Sequence, residues 1–202
     1  MPNQFTPLFY KRFYGSPRTR VTTKAEMHRR AAAVGSMVKH LELRVGRILD
    51  AGCGLGWMRA ALLEQFPRAT YVGLEVSEHL CEQHGWVQGS LANYRSRAHF
   101  DLIVCYDVLQ YLSDTEAVRA INNVAHLCRG ALYFHAPTEE DWNRNADRSC
   151  SDADVRLRPA HWYRTRLARH FRHAGFGIHV RRGVPLHQWE LEKAGASGRA
   201  DV

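Results

Sequence analysis

Short apolar runs alternate with amphipathic stretches along most of this 202-residue chain. Apolar runs bounded by glycine or proline predict buried strands, whereas apolar positions three and four residues apart predict helices. The predicted strands are GRILDAG (46–52), TYVGLE (70–75), WVQG (86–89), DLIVC (101–105) and GALYFHAP (130–137). The predicted helices between them are 57–66, 77–84 with Ser77 as cap, and 114–128 with Ser113 as cap. Strands that alternate with helices indicate parallel pairing, and so a doubly wound α/β sheet with helices on both faces.

The pattern changes on both sides of this alternation. A leading helix is predicted over residues 24–41, after an N-terminal arm over residues 1–23. The polar stretch 138–159 is long for a loop in a compact domain, so we expect a lid-like insertion there.

A helix over 160–173 and two strands, GIHVRRG (177–183) and PLHQWELE (185–192), follow the insertion. Gly183 and Pro185 predict a hairpin between these strands, so the last strand should run antiparallel. We therefore expect a single domain over residues 24–194 and a disordered tail over 195–202.

The loop LDAGCGLGW (49–57) follows the first strand and has glycine at every second position from 52 to 56. Glycines this dense let the backbone approach a ligand closely. The dinucleotide fingerprint G-x-G-x-x-G requires glycine where this chain has Trp57, and the phosphate loop G-x-x-x-x-G-K-[ST] does not match either. The loop is therefore predicted to take a ligand that needs close backbone contact but brings no phosphate.

The segment from Asp50 to Gly56, D-x-G-C-G-x-G, resembles the first motif of class I S-adenosylmethionine-dependent methyltransferases. YVGLEVS (71–77) is similar to the second-strand motif of that family, and FDLIVCYDVLQYL (100–112) is similar to its fourth-strand motif. The predicted terminal hairpin matches the family's departure from the Rossmann sheet. The resemblance implies a Rossmann-like seven-stranded sheet with an antiparallel last strand. It also implies S-adenosyl-L-methionine as cofactor and in-line methyl transfer to an O or N atom.

The resemblance further implies which residues hold the cofactor. Gly52 and Gly54 would pass beneath its methionine part, and the Glu75 carboxylate would accept both ribose hydroxyls. Ser90 would accept a hydrogen bond from the adenine amino group, at a position where many relatives have an acid. Residues ahead of the first helix would cover the cofactor. The full predicted set is Tyr14, Arg20, Asp50, Ala51, Gly52, Cys53, Gly54, Glu75, Val76, Gly89, Ser90, Leu91, Cys105 and Tyr106.

Candidates for chemistry at the acceptor lie near the carboxyl ends of the fourth and fifth predicted strands. His135 could act as a general base, which is needed only if the acceptor atom holds a proton at neutral pH. The alternative is that His135 is a structural histidine. Asp107 fits a substrate ligand or a turn cap, and Tyr111 fits a donor-side wall or core packing. No cluster with metal-ligand spacing stands out, so no metal is expected.

The formal net charge of +8 is unevenly distributed. Residues 1–30 hold seven Lys or Arg and one acid, and residues 156–182 hold eight Arg and no acid. Such basic segments fit nucleic acid, an anionic substrate or a solvated Arg-rich helix. The exit CYDV (105–108) is unlike the [DN]-P-P-[YF] motif of nucleobase methyltransferases. The chain also resembles small stand-alone enzymes of the family, and this resemblance implies a small-molecule acceptor. The alternatives are an RNA or protein methyltransferase that docks through the basic segments, and a non-catalytic protein that binds the cofactor.

Cysteine usage and hydropathy bear on the compartment. The five cysteines include no C-x-x-C pair and no disulfide framework, which predicts reduced thiols and a cytoplasmic protein. No apolar run approaches the roughly 20 residues of a membrane helix, so no membrane association is expected. The sequence leaves the oligomeric state open.

Overall fold

The computed structural model of the chain describes residues 4–192. Its strands are β1 (Arg47–Ala51), β2 (Thr70–Glu75), β3 (Val87–Gln88), β4 (Phe100–Tyr106), β5 (Cys128–His135), β6 (Phe171–Gly175) and β7 (Ile178–Arg181). They form one seven-stranded sheet in the order β3-β2-β1-β4-β5-β7-β6.

Seven α-helices surround the sheet within residues 4–192. They are α1 (Pro7–Tyr10), α2 (Lys24–His40), α3 (Arg59–Gln65), α4 (Glu78–His84), α5 (Asp114–Leu127), α6 (Glu139–Arg144) and α7 (Ala160–Ala168). Capping boxes define where the two longest begin, with Thr23 and Glu26 at α2 and Ser113 and Glu116 at α5. None of these helices is long and apolar enough to cross a membrane.

Successive residues of the central strands bury themselves on opposite faces of the sheet. Ile48 packs in a cluster with α2 and α3, and Leu49 packs in a second cluster with α5 and α7. Because side chains alternate along a strand, a parallel strand that is apolar throughout needs cover on both faces. The predicted doubly wound architecture is confirmed.

The direction of the strands fixes where a ligand can bind. β1 pairs in parallel with both β2 and β4, so the strand order reverses on either side of β1. In open α/β sheets, ligands bind outside the carboxyl ends of the strands at such a reversal. β7 runs antiparallel to both β5 and β6, which confirms the predicted antiparallel last strand.

The hairpin begins earlier in the chain than predicted: β7 lies within the predicted strand 177–183, but its partner is β6, which precedes it, and not the segment 185–192. α7 ends at Ala168 instead of continuing to residue 173, because Phe171 and Ala174 turn into the core as strand residues. The connection is Gly175-Phe176-Gly177, in which all three residues have positive φ, a conformation that suits glycine.

The prediction of a strand over 185–192 is wrong. This segment pairs with no other strand of the described chain and ends in a 3₁₀ turn at Glu190–Glu192. Its Leu186 side chain packs against the core cluster that contains Ile48, but its Trp189 side chain is exposed. The tail predicted over 195–202 lies outside the described residues.

The insertion predicted after β5 is fastened to the loop that follows β4. Thr138 caps α6, and it also forms a bridge with Arg158 near the far end of the insertion. Buried Arg158 donates from Nε to Asp114 and from its Nη atoms to the carbonyls of Leu109 and Leu112. The role of the insertion as a lid and the exact domain limits remain predictions.

Candidate active site

The loop after β1 can form only with glycine at its first turn. Gly52 has φ +72°, and a Cβ there would clash with Cγ2 of Val108 from the loop after β4. Its N–H donates to the Leu74 carbonyl of β2 at 2.7 Å. The chain therefore turns back tightly at the carboxyl edge of the sheet, with bare backbone towards the crevice.

The Glu75 carboxylate at the end of β2 is held by backbone amides. Oε2 accepts from the N–H of Gly54 at 2.9 Å, and Oε1 accepts from the N–H groups of Val76 at 2.8 Å and Ser77 at 3.0 Å. The Tyr10 hydroxyl lies 3.5 Å from Oε1. Charge-assisted bonds of this kind are stronger than neutral ones. They orient the carboxylate beside the glycine loop.

Two further glycines make room for the Trp86 indole. A Cβ on Gly56 or on Gly73 would lie 2.6 Å from the indole ring. The indole Nε1 donates to the Gly54 carbonyl at 3.0 Å, so Trp86 supports the loop from below. Trp57, which replaces the third glycine of a dinucleotide fingerprint, packs against the N-terminal arm instead.

A cavity of about 500 Å³ lies over this loop, within the range of roughly 300–1,000 Å³ that is common for small-molecule sites. Two of the predicted catalytic residues, Asp107 and Tyr111, line the cavity. The predicted cofactor residues that line it are Tyr14, Gly52, Gly54, Glu75, Val76, Gly89, Ser90 and Leu91.

The other predicted cofactor residues lie off the cavity wall: Arg20, Asp50, Ala51, Cys53, Cys105 and Tyr106. Asp50 is buried and accepts a hydrogen bond from the Tyr71 hydroxyl at 2.6 Å. Burial raises the pKa of Asp50 to about 6, although this hydrogen bond acts in the opposite direction. Burial also raises the pKa values of the Cys53 and Cys105 thiols, which are therefore neutral. Arg20 is exposed.

The N-terminal arm closes one side of the cavity, and most of its contribution was not predicted. Its unpredicted lining residues are Gln4, Phe5, Phe9 and Tyr10. Ser77 fastens the arm, because its hydroxyl donates to the Phe5 carbonyl at 2.8 Å instead of capping α4. The four-residue spacing of Phe5, Phe9 and Phe13, and of Tyr10 and Tyr14, is a helical signal that could have revealed this wall.

The remaining unpredicted lining residues belong to the strand ends and to the segment after β4. They are Leu74, Gln88, Val108, Leu112 and Glu116. The first four adjoin predicted site residues, so a wider window around these positions would have included them. Glu116 lies in the first turn of α5 and has no such neighbour.

His135 and Asp107 form a pair at the carboxyl ends of β5 and β4. His135 Nδ1 lies 2.6 Å from Asp107 Oδ1, and the Asp107 N–H donates to the His135 carbonyl at 3.0 Å. Asp107 has φ +55°, a left-handed conformation that aspartate tolerates better than most residues. His135 itself does not line the cavity but stacks on the Tyr106 ring with centroids 4.9 Å apart. The pairing joins a cavity residue, Asp107, to an imidazole beside the cavity.

Aromatic side chains surround this pair. Tyr111 lies edge-on to Phe5 with ring centroids 5.0 Å apart, so the arm and the segment after β4 meet over the cavity. Burial raises the pKa values of Tyr14, Tyr106 and Tyr111, and Asp107 adds to the effect in each. These phenols are neutral donors and apolar walls. Within residues 4–192, no group of three or more His, Cys, Asp or Glu side chains could hold a metal ion.

Known proteins share both the sequence pattern and the fold. Residues 49–131 match a family model described as a methyltransferase domain. A ubiquinone biosynthesis O-methyltransferase from Xylella fastidiosa is 28% identical over 185 residues, which cover 81% of this chain and 74% of the relative.

Two solved structures have the same fold. An O-methyltransferase family protein from Burkholderia thailandensis gives a TM-score of 0.55 at 16% identity, covering 79% of this chain and 58% of that protein. Magnesium protoporphyrin IX methyltransferase from Synechocystis, with bound S-adenosylmethionine, gives 0.54 at 17% identity, covering 78% of this chain and 80% of that protein.

The sheet order, the glycine loop and the carboxylate at the end of β2 define a class I methyltransferase site. The chain is similar to the class I S-adenosylmethionine-dependent methyltransferases in its matched segment and in its fold. It is a methyltransferase, and its cofactor is S-adenosylmethionine.

Proposed function

We propose that this methyltransferase acts on a hydroxyl oxygen of a small molecule and that His135 is its general base. The observation that carries the proposal is the 2.6 Å contact between His135 Nδ1 and Asp107 Oδ1 beside the cavity. A hydroxyl must lose its proton when it is methylated, so a positioned base is useful, whereas a neutral amine can attack without one. The ubiquinone biosynthesis relative is also an O-methyltransferase by name.

The pairing of Asp107 with His135 sets the proton chemistry. An ionised carboxylate only accepts hydrogen bonds, so Nδ1 donates and Nε2 keeps its lone pair. Within residues 4–192, Nε2 has no hydrogen-bond partner, and the His135 side chain is 42% exposed. Nε2 can therefore take a proton from an acceptor, and Asp107 stabilises the imidazolium that results.

The walls of the cavity suit the cofactor. S-Adenosylmethionine, when bound, supplies an activated methyl group. Gly52 would admit its methionine part, Glu75 would accept from its ribose hydroxyls, and Ser90 with the Leu91 amide would meet its adenine. Tyr111 and Tyr14 would exclude water and align the acceptor, and alignment alone can supply roughly 7–11 kcal/mol.

The test compares His135→Gln with His161→Gln, in which an exposed histidine of α7 is replaced in the same way. A panel of hydroxylated and amine-bearing metabolites with labelled donor identifies an acceptor. We expect His135→Gln to lower kcat by about 10²–10⁴-fold, with the Kd for S-adenosylhomocysteine and the His161→Gln rate both unchanged. Wild-type rates in His135→Gln would refute the base, and methylation of amines alone would refute the oxygen acceptor.

A macromolecular acceptor has less support than a small molecule. β7 runs antiparallel to β5, so Arg181 and its partner Phe171 lie at the amino edge of the sheet, opposite the cavity. Much of the Arg-rich segment is therefore far from the methyl donor. The cytoplasm remains the compartment that we propose, since all five cysteines are unpaired thiols.

A further inference from the structure

Arg30 is a half-buried cation beside the proposed acceptor site. It projects from α2, and its guanidinium lies 4.7 Å from the centre of the Tyr106 ring. Nη1 donates to the Tyr133 hydroxyl at 3.0 Å. No carboxylate within residues 4–192 lies within 4 Å of it. A partly desolvated guanidinium with a single neutral acceptor has donors left for an anion.

The surroundings keep Arg30 charged. Burial by itself would lower the pKa of Arg30, but the hydrogen bond to Tyr133, the neighbouring phenols and the charge of Asp107 raise it overall. The Asp107 carboxylate is already engaged by His135. The anion that would pair directly with Arg30 must therefore come from outside the described chain.

Tyr106 connects this cation to the base. Its ring contacts the Arg30 guanidinium and also stacks on His135 with an interplanar angle of 20°. Cation and base thus lie around one aromatic ring at the end of β4. Further phenols that feel the charge of Asp107, those of Tyr14 and Tyr111, provide flat apolar walls nearby.

We infer that Arg30 selects acceptors in which a hydroxylated aromatic ring also carries a carboxylate, the hydroxyl meeting His135 and the carboxylate meeting Arg30. The inference rests on the proposed O-methylation at the same site. Arginine suits this role because its planar fork matches a carboxylate with two parallel hydrogen bonds.

The experiment uses two probes of the same shape, 3,4-dihydroxybenzoate and its uncharged amide. Calorimetry measures their binding to the full chain saturated with S-adenosylhomocysteine. We expect the wild type to bind the carboxylate at least about tenfold more tightly than the amide, and Arg30→Gln to bind both within twofold. Arg29→Gln is the matched control, because it removes the same charge from an exposed position of α2; it should keep the preference.

Arg30→Lys provides a second variant if Arg30→Gln folds poorly, and it should keep only part of the preference. Equal binding of the two probes by the wild type, a preference that survives in Arg30→Gln, or no binding of either at about 1 mM would overturn the inference. Methylation of the amide that depends on His135 without any carboxylate preference would remove the inference and leave the proposed function intact. A carboxylate preference without methylation of any hydroxyl would refute the proposed O-methylation and leave the binding of the carboxylate by Arg30 intact.

Discussion

The cofactor half and the acceptor half of the cavity are built from different parts. Under the cofactor half, backbone amides of the glycine loop and of the turn after β2 hold Glu75, and Gly52 leaves bare backbone. In the acceptor half, Asp107 lines the cavity after the end of β4, and it pairs with His135 from the end of β5, which lies beside the cavity. The first half is encoded within short stretches of sequence. The second depends on which strands end beside each other.

The two halves nevertheless touch at one point. Val108, which follows Asp107, fills the space that a Cβ on Gly52 would need. The segment after β4 is in turn fixed by Arg158 from the insertion. A change in the acceptor half can therefore reach the cofactor loop through Val108.

The largest effect that separates the halves is expected from Glu75→Ala. The substitution removes the acceptor for three backbone N–H groups and for the ribose, so the Kd for S-adenosylhomocysteine should rise about 100-fold, equivalent to ~3 kcal/mol. Glu78→Ala, at an exposed position of α4, is the matched control and should change little. Calorimetry measures both. An unchanged Kd for S-adenosylhomocysteine in Glu75→Ala would show that the Glu75 carboxylate does not bind the cofactor.

A second prediction concerns the pH dependence of stability. Burial raises the pKa of Asp50 to about 6, above its value in the unfolded chain. The folded state therefore binds the proton more tightly, and the stability that this gives is complete below pH ~4 and lost as the pH rises to ~6. The asparagine of Asp50→Asn stays neutral at every pH. This variant should therefore avoid the loss of about 2–3 kcal/mol in the free energy of unfolding that the wild type undergoes between pH ~4 and pH ~6.

Urea unfolding of the cofactor-free protein at pH 4 and pH 7 measures the effect. The advantage of Asp50→Asn over the wild type should be greater at pH 7 than at pH 4. Asp101→Asn is a useful contrast, because hydrogen bonds from Arg129 and two backbone amides outweigh burial and lower the pKa of Asp101. The decrease in the free energy of unfolding caused by Asp101→Asn should instead grow as the pH rises. The same pH trend in both variants would contradict the difference in environment.

How far the sequence predicts this molecule follows the same division. The glycine loop, β2 with Glu75, and α5 with its Ser113 cap are local patterns, and each is found where it was predicted. The hairpin was placed too late in the chain because two turn signals compete, and only the burial of Phe171 and Ala174 decides between them. His135 and Asp107 were each predicted, but their contact depends on the pairing of β4 with β5 and cannot be deduced from either strand alone.

The smallest expected effect tests whether the arm belongs to the cofactor half. Burial raises the pKa of Tyr10, so its hydroxyl stays a neutral donor, and its 3.5 Å distance to Glu75 Oε1 is at the long limit of a hydrogen bond. Since the backbone donors of Glu75 remain in Tyr10→Phe, the Kd for S-adenosylhomocysteine should stay within about threefold of the wild type. Calorimetry on Tyr10→Phe and on Tyr10→Ala, which also removes the ring from the wall, separates hydroxyl from packing. If Tyr10→Phe lost as much affinity for S-adenosylhomocysteine as Glu75→Ala, the arm, and not the backbone, would orient the Glu75 carboxylate. The cofactor half would then depend on residues distant in sequence, as the acceptor half does.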